Sequence, residues 1–466
     1  MSLKTLTDSL RREVAALDLQ QTDYAVYRDD PVGFVRDVLG VESATRRSDG
    51  GTYQFEILED LANHPRVAVR SGHGVGKSAV DAWAALWWLL TRPLSRVLMV
   101  APTFERQVKA VLMAEVRKWV RHAGLPVQVL STGAHVDGFG DEWAIIGLPA
   151  TDTDRIEGLH SEGGVLLVLD ETKGICQDVY DALQGALTSR VESRLLVTST
   201  PGGPAGLFHS IFTKDRGLWR LHHLSSVDST QVSEDWVQAR RDEWGETSPL
   251  YQARVLGEFP EDAEGTLLPL GLLETAVERE AETGPVTLGV DPARFGPDST
   301  AVAVWEGKKL VEVQVRRGLD VMAVASWTHS LANVHGAERV SVDEIGLGAG
   351  VVDRLRQLGC RGLTPVNVSR APHRKDLFQN LRAELAWQFR EALERGEVAL
   401  PDDDGLLAEL SALRYDYDTY GRIRLEQKDE MRRRIGRSPD RADAAILGLS
   451  QRQAVGMLWS KAARAR

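Results

Sequence analysis

One short stretch of the chain, residues 66–78, joins an apolar strand to a glycine-rich loop that ends in Gly-Lys-Ser. It reads RVAVRSGHGVGKS. Such loops turn successive backbone amides toward a polyphosphate, with the lysine at the β/γ-phosphates and the serine hydroxyl on Mg²⁺. The strict pattern has glycine where this chain has Ser71, and Gly72 follows one place late. A glycine-rich turn without a ligand is the alternative, but the strand before the loop and the helix-like run after it favour nucleotide binding. The predicted phosphate loop is Ser71, Gly72, His73, Gly74, Val75, Gly76, Lys77 and Ser78.

Carboxylates and small hydroxyls follow later strands of the same half. Asp170 and Glu171 come directly after the apolar run VLLVL. A triphosphate hydrolase needs one carboxylate to organise Mg²⁺ and another to polarise the attacking water, and we assign these roles to Asp170 and Glu171 respectively. Thr198, Ser199 and Thr200 end the strand SRLLV, where hydroxyls can sense the γ-phosphate. Each group alone also fits a surface turn, so the interpretation depends on the parallel-strand context.

The second half carries acids at three chemically suggestive places. Asp291 ends one strand in LGVDPA, and Asp343 ends another in VSVDE. Asp440 and Asp443 lie three residues apart and share a helix face. Carboxylates are hard ligands that suit Mg²⁺ or Mn²⁺, and three or four of them can hold two metals roughly 3.5–4 Å apart for phosphodiester cleavage. Taken singly, Asp291 also fits a turn and Asp440 a helix N-cap.

The order of apolar runs predicts an α/β fold in two parts. In the first half, almost continuous apolar strands alternate with helices, which is typical of a mostly parallel sheet. The second half begins with three antiparallel strands and then alternates strands with helices, as in an RNase H-like mixed sheet. The predicted divisions are an N-terminal helical segment, a phosphate-loop domain, a linker, a nuclease-like domain and a basic tail, at 1–45, 46–255, 256–284, 285–452 and 453–466.

Composition limits the class of protein. The 466 residues are 43% hydrophobic and 26% charged, as in ordinary globular proteins. The longest apolar run is too short to span a bilayer, and two distant cysteines predict neither a disulfide framework nor a zinc site. The net charge of −11 argues against a surface that coats nucleic acid throughout. The run KDEMRRRIGR, residues 428–437, is either a local basic groove or a solvated face.

Taken in order, these segments resemble the motifs of the large terminase subunits of tailed bacteriophages. YQ at 53–54 resembles the adenine motif of that family, and the amide of Gln54 has a donor and an acceptor that can pair with adenine. SGHGVGKS resembles its phosphate loop, APT its next strand end, VLLVLDE its acidic motif and TSTPGG its coupling motif. GVDPARFGPDSTAVAV, VDEIGLGAGVVDRL and KDEMRRRIGRSPDRADA resemble its nuclease motifs. Each motif alone is moderately specific, whereas their order is highly specific.

The resemblance implies an ASCE-type ATPase domain joined to an RNase H-like nuclease domain. It implies ATP and Mg²⁺ at the first site and two Mg²⁺ or Mn²⁺ at the second. The ATP site would use Gln54, Lys77, Ser78, Asp170 and Glu171, with residues 198–200 coupling hydrolysis to domain movement and Thr200 near the phosphate. The nuclease ligands would be Asp291, Asp343, Asp440 and Asp443.

The function implied by the resemblance is ATP-driven packaging of double-stranded DNA into a procapsid, with endonuclease cutting of concatemeric DNA. The implied partners are a small terminase subunit, a portal protein and a pentameric ring of this chain on the portal. The implied location is the host cytoplasm, away from membranes. The alternative function is a helicase-like or DNA-remodelling ATPase whose second half only binds DNA. A third possibility is a non-enzymatic scaffold with decayed motifs.

Three positions depart from the family pattern or leave it open. His73 stands where the family often has arginine, and Arg70 is the nearest substitute. An arginine finger for a neighbouring subunit's ATP is expected before the acidic motif, and Arg155 is the candidate. The sequence leaves open whether Asp440 or Asp443 is the principal metal ligand.

Overall fold

The chain forms two compact units in the computed structural model. The structure describes residues 24–42, 44, 46, 50–150, 161–175, 177–186, 192–203, 206–260, 265–293 and 299–449. The two units are Met1–Val237 with Ala253–Phe259, and Gln238–Gln252 with Pro260–Arg466. The predicted basic tail and Arg155 lie outside the described residues. The predicted linker contains the helix Leu270–Val277, in which Leu270, Leu273 and Ala276 are buried. The domain limits inferred from the sequence stay predictions.

The first unit is built on an eight-stranded sheet in the order β3-β4-β5-β2-β6-β7-β1-β8. Strands β5, β2, β6, β7, β1 and β8 are parallel to their neighbours, and β3 and β4 add an antiparallel edge. The strands are β1 Arg66–Ser71, β2 Arg96–Ala101, β3 Val127–Val129, β4 Gly133–Val136, β5 Ala144–Pro149, β6 Val165–Leu169, β7 Ser193–Ser199 and β8 Arg220–Leu224.

Both faces of this sheet are covered by apolar side chains. Alternate residues of one strand enter different core clusters: Val67 and Val69 pack on one side, Ala68 on the other. This two-sided burial explains why the strands read as continuous apolar runs rather than alternating ones. The α-helices of this part of the chain are α1 Pro31–Gly33, α2 Tyr53–Asn63, α3 Lys77–Thr91, α4 Met113–Ala123, α5 Gln177–Ala186, α6 Gly206–Phe212 and α7 Glu234–Trp244. Segments of 3₁₀ or π helix cover Tyr24–Tyr27, Phe34–Val38, Phe104–Leu112, Gly140–Glu142, Thr172–Gly174, Arg216–Leu218 and Gln252–Leu256.

The second unit contains a five-stranded mixed sheet in the order β11-β10-β9-β12-β13. Its strands are β9 Val286–Asp291, β10 Ser299–Glu306, β11 Lys309–Arg317, β12 Arg339–Asp343 and β13 Leu363–Val366. The first three strands pair antiparallel, while β12 is parallel to both β9 and β13. The predicted α/β fold, with one mostly parallel and one mixed sheet, is confirmed.

Helices flank this mixed sheet and a small hairpin lies beside it. The helices are α8 Pro249–Tyr251, α9 Leu270–Val277, α10 Val321–Val334, α11 Gly348–Gln357, α12 Leu381–Glu394, α13 Asp404–Ser411, α14 Lys428–Ile435 and α15 over residues 440–449. The hairpin pairs β14 Tyr415–Tyr417 with β15 Ile423–Leu425 in a separate two-stranded sheet. None of the helices in the described ranges is long and apolar enough to cross a bilayer.

Candidate functional site

The predicted phosphate loop joins the end of β1 to the start of α3 and lines a cleft of about 530 Å³. The loop needs glycine for two reasons. A Cβ on Gly72 would lie 2.4 Å from the carbonyl oxygen of Val255, and Gly76 has φ +81° with the amide nitrogen of Gln54 against it. The cleft brings together most of the predicted nucleotide-site residues: Gln54, His73, Gly74, Val75, Gly76, Lys77, Ser78, Asp170 and Glu171.

The side chain of Lys77 bonds to its own loop. Its Nζ donates to the carbonyl oxygen of Gly72 at 3.1 Å and lies 3.3 Å from Ser71 Oγ. Burial lowers the pKa of Lys77, although the nearby carboxylates of Glu171, Asp170 and Asp81 oppose this shift. A cation with neutral partners at the start of a helix is suited to meet an anionic ligand.

Tyr53 and Gln54 support the loop from α2. Gln54 is 1% exposed, and its Nε2 donates to the carbonyl oxygen of Gly76 at 3.0 Å. The Tyr53 hydroxyl donates to the carbonyl oxygen of Val75 at 3.2 Å. Both side chains therefore shape the loop, and the adenine contact of Gln54 stays a prediction.

The candidate water-polarising residue, Glu171, is held by hydroxyls from β7 and the turn after it. Its Oε2 accepts from Ser199 Oγ and Thr200 Oγ1, each at 3.3 Å. Glu171 has φ +46°, a left-handed conformation that is costly for a residue with a Cβ. Lys173 Nζ donates to Thr200 Oγ1 at 3.1 Å. The hydroxyls that we expected to sense phosphate thus contact the candidate catalytic carboxylate.

A second buried acid, Asp81, joins this network. Thr198 Oγ1 lies 3.0 Å from Asp81 Oδ2 and 3.2 Å from Asp170 Oδ1. Burial raises the pKa of Asp170 to about 7 and that of Asp81 well above its ordinary value. Sequence reasoning missed Asp81. Its signal was a single charge within the apolar run AVDAWAALWWLL of α3.

Of the two arginines considered for this site, Arg70 lies in the described part of the chain and does not line the cleft. Arg155 falls outside the described residues. Arg70 pairs with Glu258 and donates to the carbonyl oxygen of Gly257 at 3.2 Å. Its guanidinium also lies over the ring of Phe259. These contacts do not favour Arg70 as the substitute for a loop arginine.

The predicted nuclease acids meet at one edge of the five-stranded sheet. Asp291 and Asp343 end the parallel strands β9 and β12, which pair Val290 with Val342. Both acids line a cavity of about 20 Å³ together with Asp443 of α15. Asp440 instead accepts a hydrogen bond from the backbone N–H of Ser299 at 2.8 Å. The geometry favours Asp443 over Asp440 as the principal ligand, a choice that the sequence left open.

A lysine already occupies the space between two of these carboxylates. Lys428 Nζ lies 3.0 Å from Asp291 Oδ2 and 2.7 Å from Asp443 Oδ2. Arg382 Nη2 lies 3.3 Å from Asp443 Oδ1. Burial disfavours the ammonium, yet Asp291 and Asp443 raise the pKa of Lys428. Lys428 was hidden in the sequence as the first residue of a basic run.

The charges around this pocket affect its acids unequally. Burial raises the pKa of Asp291 to about 7 and also raises that of Asp343. Burial acts the same way on Asp443, but Arg382 and Lys428 outweigh it and lower the pKa of Asp443. Oxygen donors of this kind suit Mg²⁺ or Mn²⁺, and the bound ammonium shows that a cation fits between them. Within the described ranges, no group of three His, Cys, Asp or Glu is spaced to hold a metal as it stands.

Two contacts to the backbone of α15 fix this helix, which carries Asp443. Glu409, 2% exposed, accepts from the backbone N–H of Arg441 at 2.7 Å. A Cβ on Gly289 of β9 would lie 2.1 Å from the carbonyl oxygen of Ala444 and 2.4 Å from the nitrogen of Gly448. The helix therefore lies directly on the strand that ends in an acid of the pocket.

Comparison with known proteins gives relatives of one kind, and no protein-family model matches the chain. A probable large terminase subunit of Enterobacteria phage P7 is 24% identical over 480 residues, covering 95% of this chain and 93% of the relative. The large terminase subunit of Thermus virus P23-45 is 24% identical over 416 residues, covering 78% of this chain and 82% of the relative. Among solved structures, the large terminase of a thermophilic bacteriophage covers 82% of this chain and 96% of its own, with 14% identity and a TM-score of 0.43. The nuclease domain of the large terminase subunit gp2 of bacterial virus Sf6 covers 39% of this chain and 96% of its own, with 23% identity and a TM-score of 0.35.

Proposed function

We infer that this chain is a large terminase subunit, an ATPase and endonuclease that packages viral DNA. The observation that carries the inference is the presence of two separate sites in one chain: a phosphate-loop cleft and a pocket of strand-end aspartates. The relative from phage P7, which matches 95% of the chain, supports the same conclusion. DNA and other components of the packaging machinery are its partners.

In the cleft, we assign ATP to the phosphate loop. Lys77 would leave its loop carbonyl and contact the β/γ-phosphates, while the loop amides hold the remaining oxygens. Ser78 and Asp170 would hold Mg²⁺, which neutralises phosphate charge when bound. Glu171, held by Ser199 and Thr200, would accept a proton from the attacking water.

In the pocket, we assign two divalent ions to the carboxylates. Asp291, Asp343 and Asp443 would be the ligands, with Asp440 supporting the start of α15 through its bond to Ser299. Bound Mg²⁺ or Mn²⁺ would supply a water of lowered pKa and stabilise the leaving oxygen. The ammonium of Lys428 would pair with Asp291 and Asp443 until the ions bind.

The finer details of assembly are also proposals. We propose that the chain works with a small terminase subunit and a portal protein on a procapsid, in the cytoplasm of the host. A ring of five copies would let an arginine of one subunit reach the nucleotide of the next, with Arg155 as the candidate. The limits of the ATPase and nuclease domains would follow the divisions predicted from the sequence.

A crossed pair of variants in the full chain tests the two-site function. Lys77→Ala should abolish ATP turnover and leave DNA cutting with Mg²⁺ or Mn²⁺ largely intact. Asp291→Ala should do the reverse. The matched controls are Lys309→Ala and Asp353→Ala, both at exposed positions.

The results separate terminase from its rivals. A wild-type protein that hydrolyses ATP but never cuts DNA with either ion would favour a DNA-remodelling ATPase. Loss of both activities from either single variant, in a folded protein, would refute two independent sites.

A further inference from the structure

The loop between β13 and α12, residues 367–380, begins at the carboxylate pocket. Strand β13 is parallel to β12 and pairs Val366 with Asp343, so the chain leaves the strand beside that acid. Val368 lines the same cavity as Asp291 and Asp343. The backbone N–H of Arg382 donates to the carbonyl oxygen of Val368 at 2.9 Å, which ties the loop to α12.

This loop carries four basic side chains within six residues. Its sequence SRAPHRK contains Arg370, His373, Arg374 and Lys375. Arg370 and Lys375 are exposed, and the His373 side chain is 68% exposed. In the described part of the chain, neither Arg370 nor Lys375 pairs with a carboxylate. Arg374 is less available, because it lies 3.8 Å from Glu384 and over the ring of Phe378.

A buried carboxylate holds the loop in place. Glu384 on α12 is 1% exposed and accepts from the backbone N–H of His373 at 2.6 Å and of Arg374 at 3.2 Å. Two residues earlier on the same helix, Arg382 binds Asp443 in the pocket. One helix turn therefore fixes both an acid of the pocket and the basic loop.

Several other cations near the pocket are already paired with carboxylates. Lys428 and Arg382 face its carboxylates. Further along the basic run that the sequence marked as a candidate groove, most side chains are also paired within the chain. The pairs are Arg432 with Asp429, Arg434 with Glu426 and Arg437 with Glu409. Arg316, Arg317 and Arg433 are also exposed and have no carboxylate partner in the described part of the chain. Arg370 and Lys375 differ from them because they lie on the loop that lines the pocket through Val368.

We propose that loop 367–380 binds the backbone phosphates of duplex DNA beside the scissile bond, with Arg370 and Lys375 as the contacts. The proposal rests on the nuclease function proposed above. Carboxylates repel a phosphodiester, so a substrate at this pocket needs cations on its flank. Glu384 is a positioning residue that holds the loop against the pocket, and it does not touch DNA.

The test compares two pairs of charges at opposite edges of one sheet. The loop variant is Arg370→Ala/Lys375→Ala in the full chain. The control is Lys309→Ala/Arg361→Ala, two exposed cations at the start of β11 and before β13. Register places both controls at the end of the sheet away from the acids. The readouts are plasmid cutting with Mn²⁺, duplex binding without metal across a salt series, and thermal unfolding.

The loop variant should raise KM for DNA about tenfold with kcat nearly unchanged. A plot of the logarithm of the DNA-binding constant against the logarithm of salt concentration should be less steep for the loop variant, by about 2. Each lost phosphate contact contributes roughly 0.9 to that slope. The control should match the wild type. Equal behaviour of the loop and control variants would overturn the proposal. A wild type that binds duplex without cutting would refute the nuclease, and the binding series would still decide the role of the loop.

A second variant tests the positioning role. Glu384→Gln keeps one carbonyl acceptor for the loop, whereas Glu384→Ala removes both. We expect KM to rise in Glu384→Ala and to recover substantially in Glu384→Gln, at equal ATP turnover. Identical KM values for Glu384→Ala and the wild type would remove Glu384 from the proposal.

Discussion

The two candidate sites use a lysine in opposite ways. In the phosphate-loop cleft, Lys77 bonds to a carbonyl and a hydroxyl of its own loop, and burial lowers its pKa. In the carboxylate pocket, Lys428 lies between Asp291 and Asp443, which raise its pKa. The first site is a cleft of about 530 Å³ and the second a cavity of about 20 Å³.

This difference separates a site prepared for an anion from one that is internally neutralised. The hydrogen-bond partners of Lys77 are neutral, so an arriving phosphate would exchange a neutral acceptor for a charged one. The acids around Lys428 already have a counter-charge, so a divalent ion must compete with the ammonium. We therefore expect the nuclease site to depend more steeply on metal concentration than the ATP site.

The largest expected effect is at Glu171, the carboxylate that we propose polarises the attacking water in the cleft. Glu171→Gln removes the proposed base while keeping one carbonyl acceptor for Ser199 and Thr200, so ATP turnover should fall about 10²–10⁴-fold. Nucleotide affinity, measured with a fluorescent analogue, should stay within about threefold. DNA cutting serves as the internal control because it depends on the other site. Turnover near the wild-type rate would assign the base to another residue.

Acidic pH should weaken metal binding at both sites. Asp170 and Asp291 each have a pKa of about 7, so below that pH a metal must displace a proton. Affinity for Mn²⁺ should fall by up to about tenfold for each pH unit below 7. The experiment is a titration followed by electron paramagnetic resonance, with Asp291→Asn to isolate the cleft and Asp170→Asn to isolate the pocket. Constant affinity from pH 5 to 8 would mean that both acids are ionised without metal.

Removal of the competing ammonium should strengthen metal binding in the pocket alone. Lys428→Met leaves Asp291 and Asp443 without their shared cation, and we expect the affinity for Mn²⁺ to rise about tenfold. Lys428→Arg keeps the charge and is the control. Calorimetric titration of full-length protein measures the change. Weaker binding in Lys428→Met would mean that the lysine organises the acids instead of competing with the ion.

The smallest expected effect is at the buried acid beside the cleft. Asp81→Asn keeps the shape but alters the bond to Thr198, and we expect ATP turnover to fall about threefold. Thr198→Val and the double variant complete a cycle. The two changes should be non-additive, because both break one shared contact. Additive losses would place Asp81 outside the Thr198–Asp170 network.

The sequence was sufficient to predict functional groups that lie within one continuous motif or directly after a strand. The phosphate loop, Asp170 and Asp291 could be located because buried parallel strands leave a clear apolar run before each functional residue. Lys428 could not, since its partner Asp291 is 137 residues away and a basic run reads as solvated. Glu384 was equally hidden, because only the folded chain shows that its oxygens receive backbone N–H groups from an adjoining loop.

The contact between Gly289 and α15 also bears on how the carboxylate pocket can change. Asp291 lies two residues beyond that contact, and Asp443 lies one residue before Ala444. The close approach of the two elements that carry these acids therefore depends on a position with no side chain at all. A methyl group at 289 would lift the helix and widen the gap between the acids without altering any charge. Ion preference in such a centre can drift through backbone spacing alone, and a survey of acidic residues would not detect it.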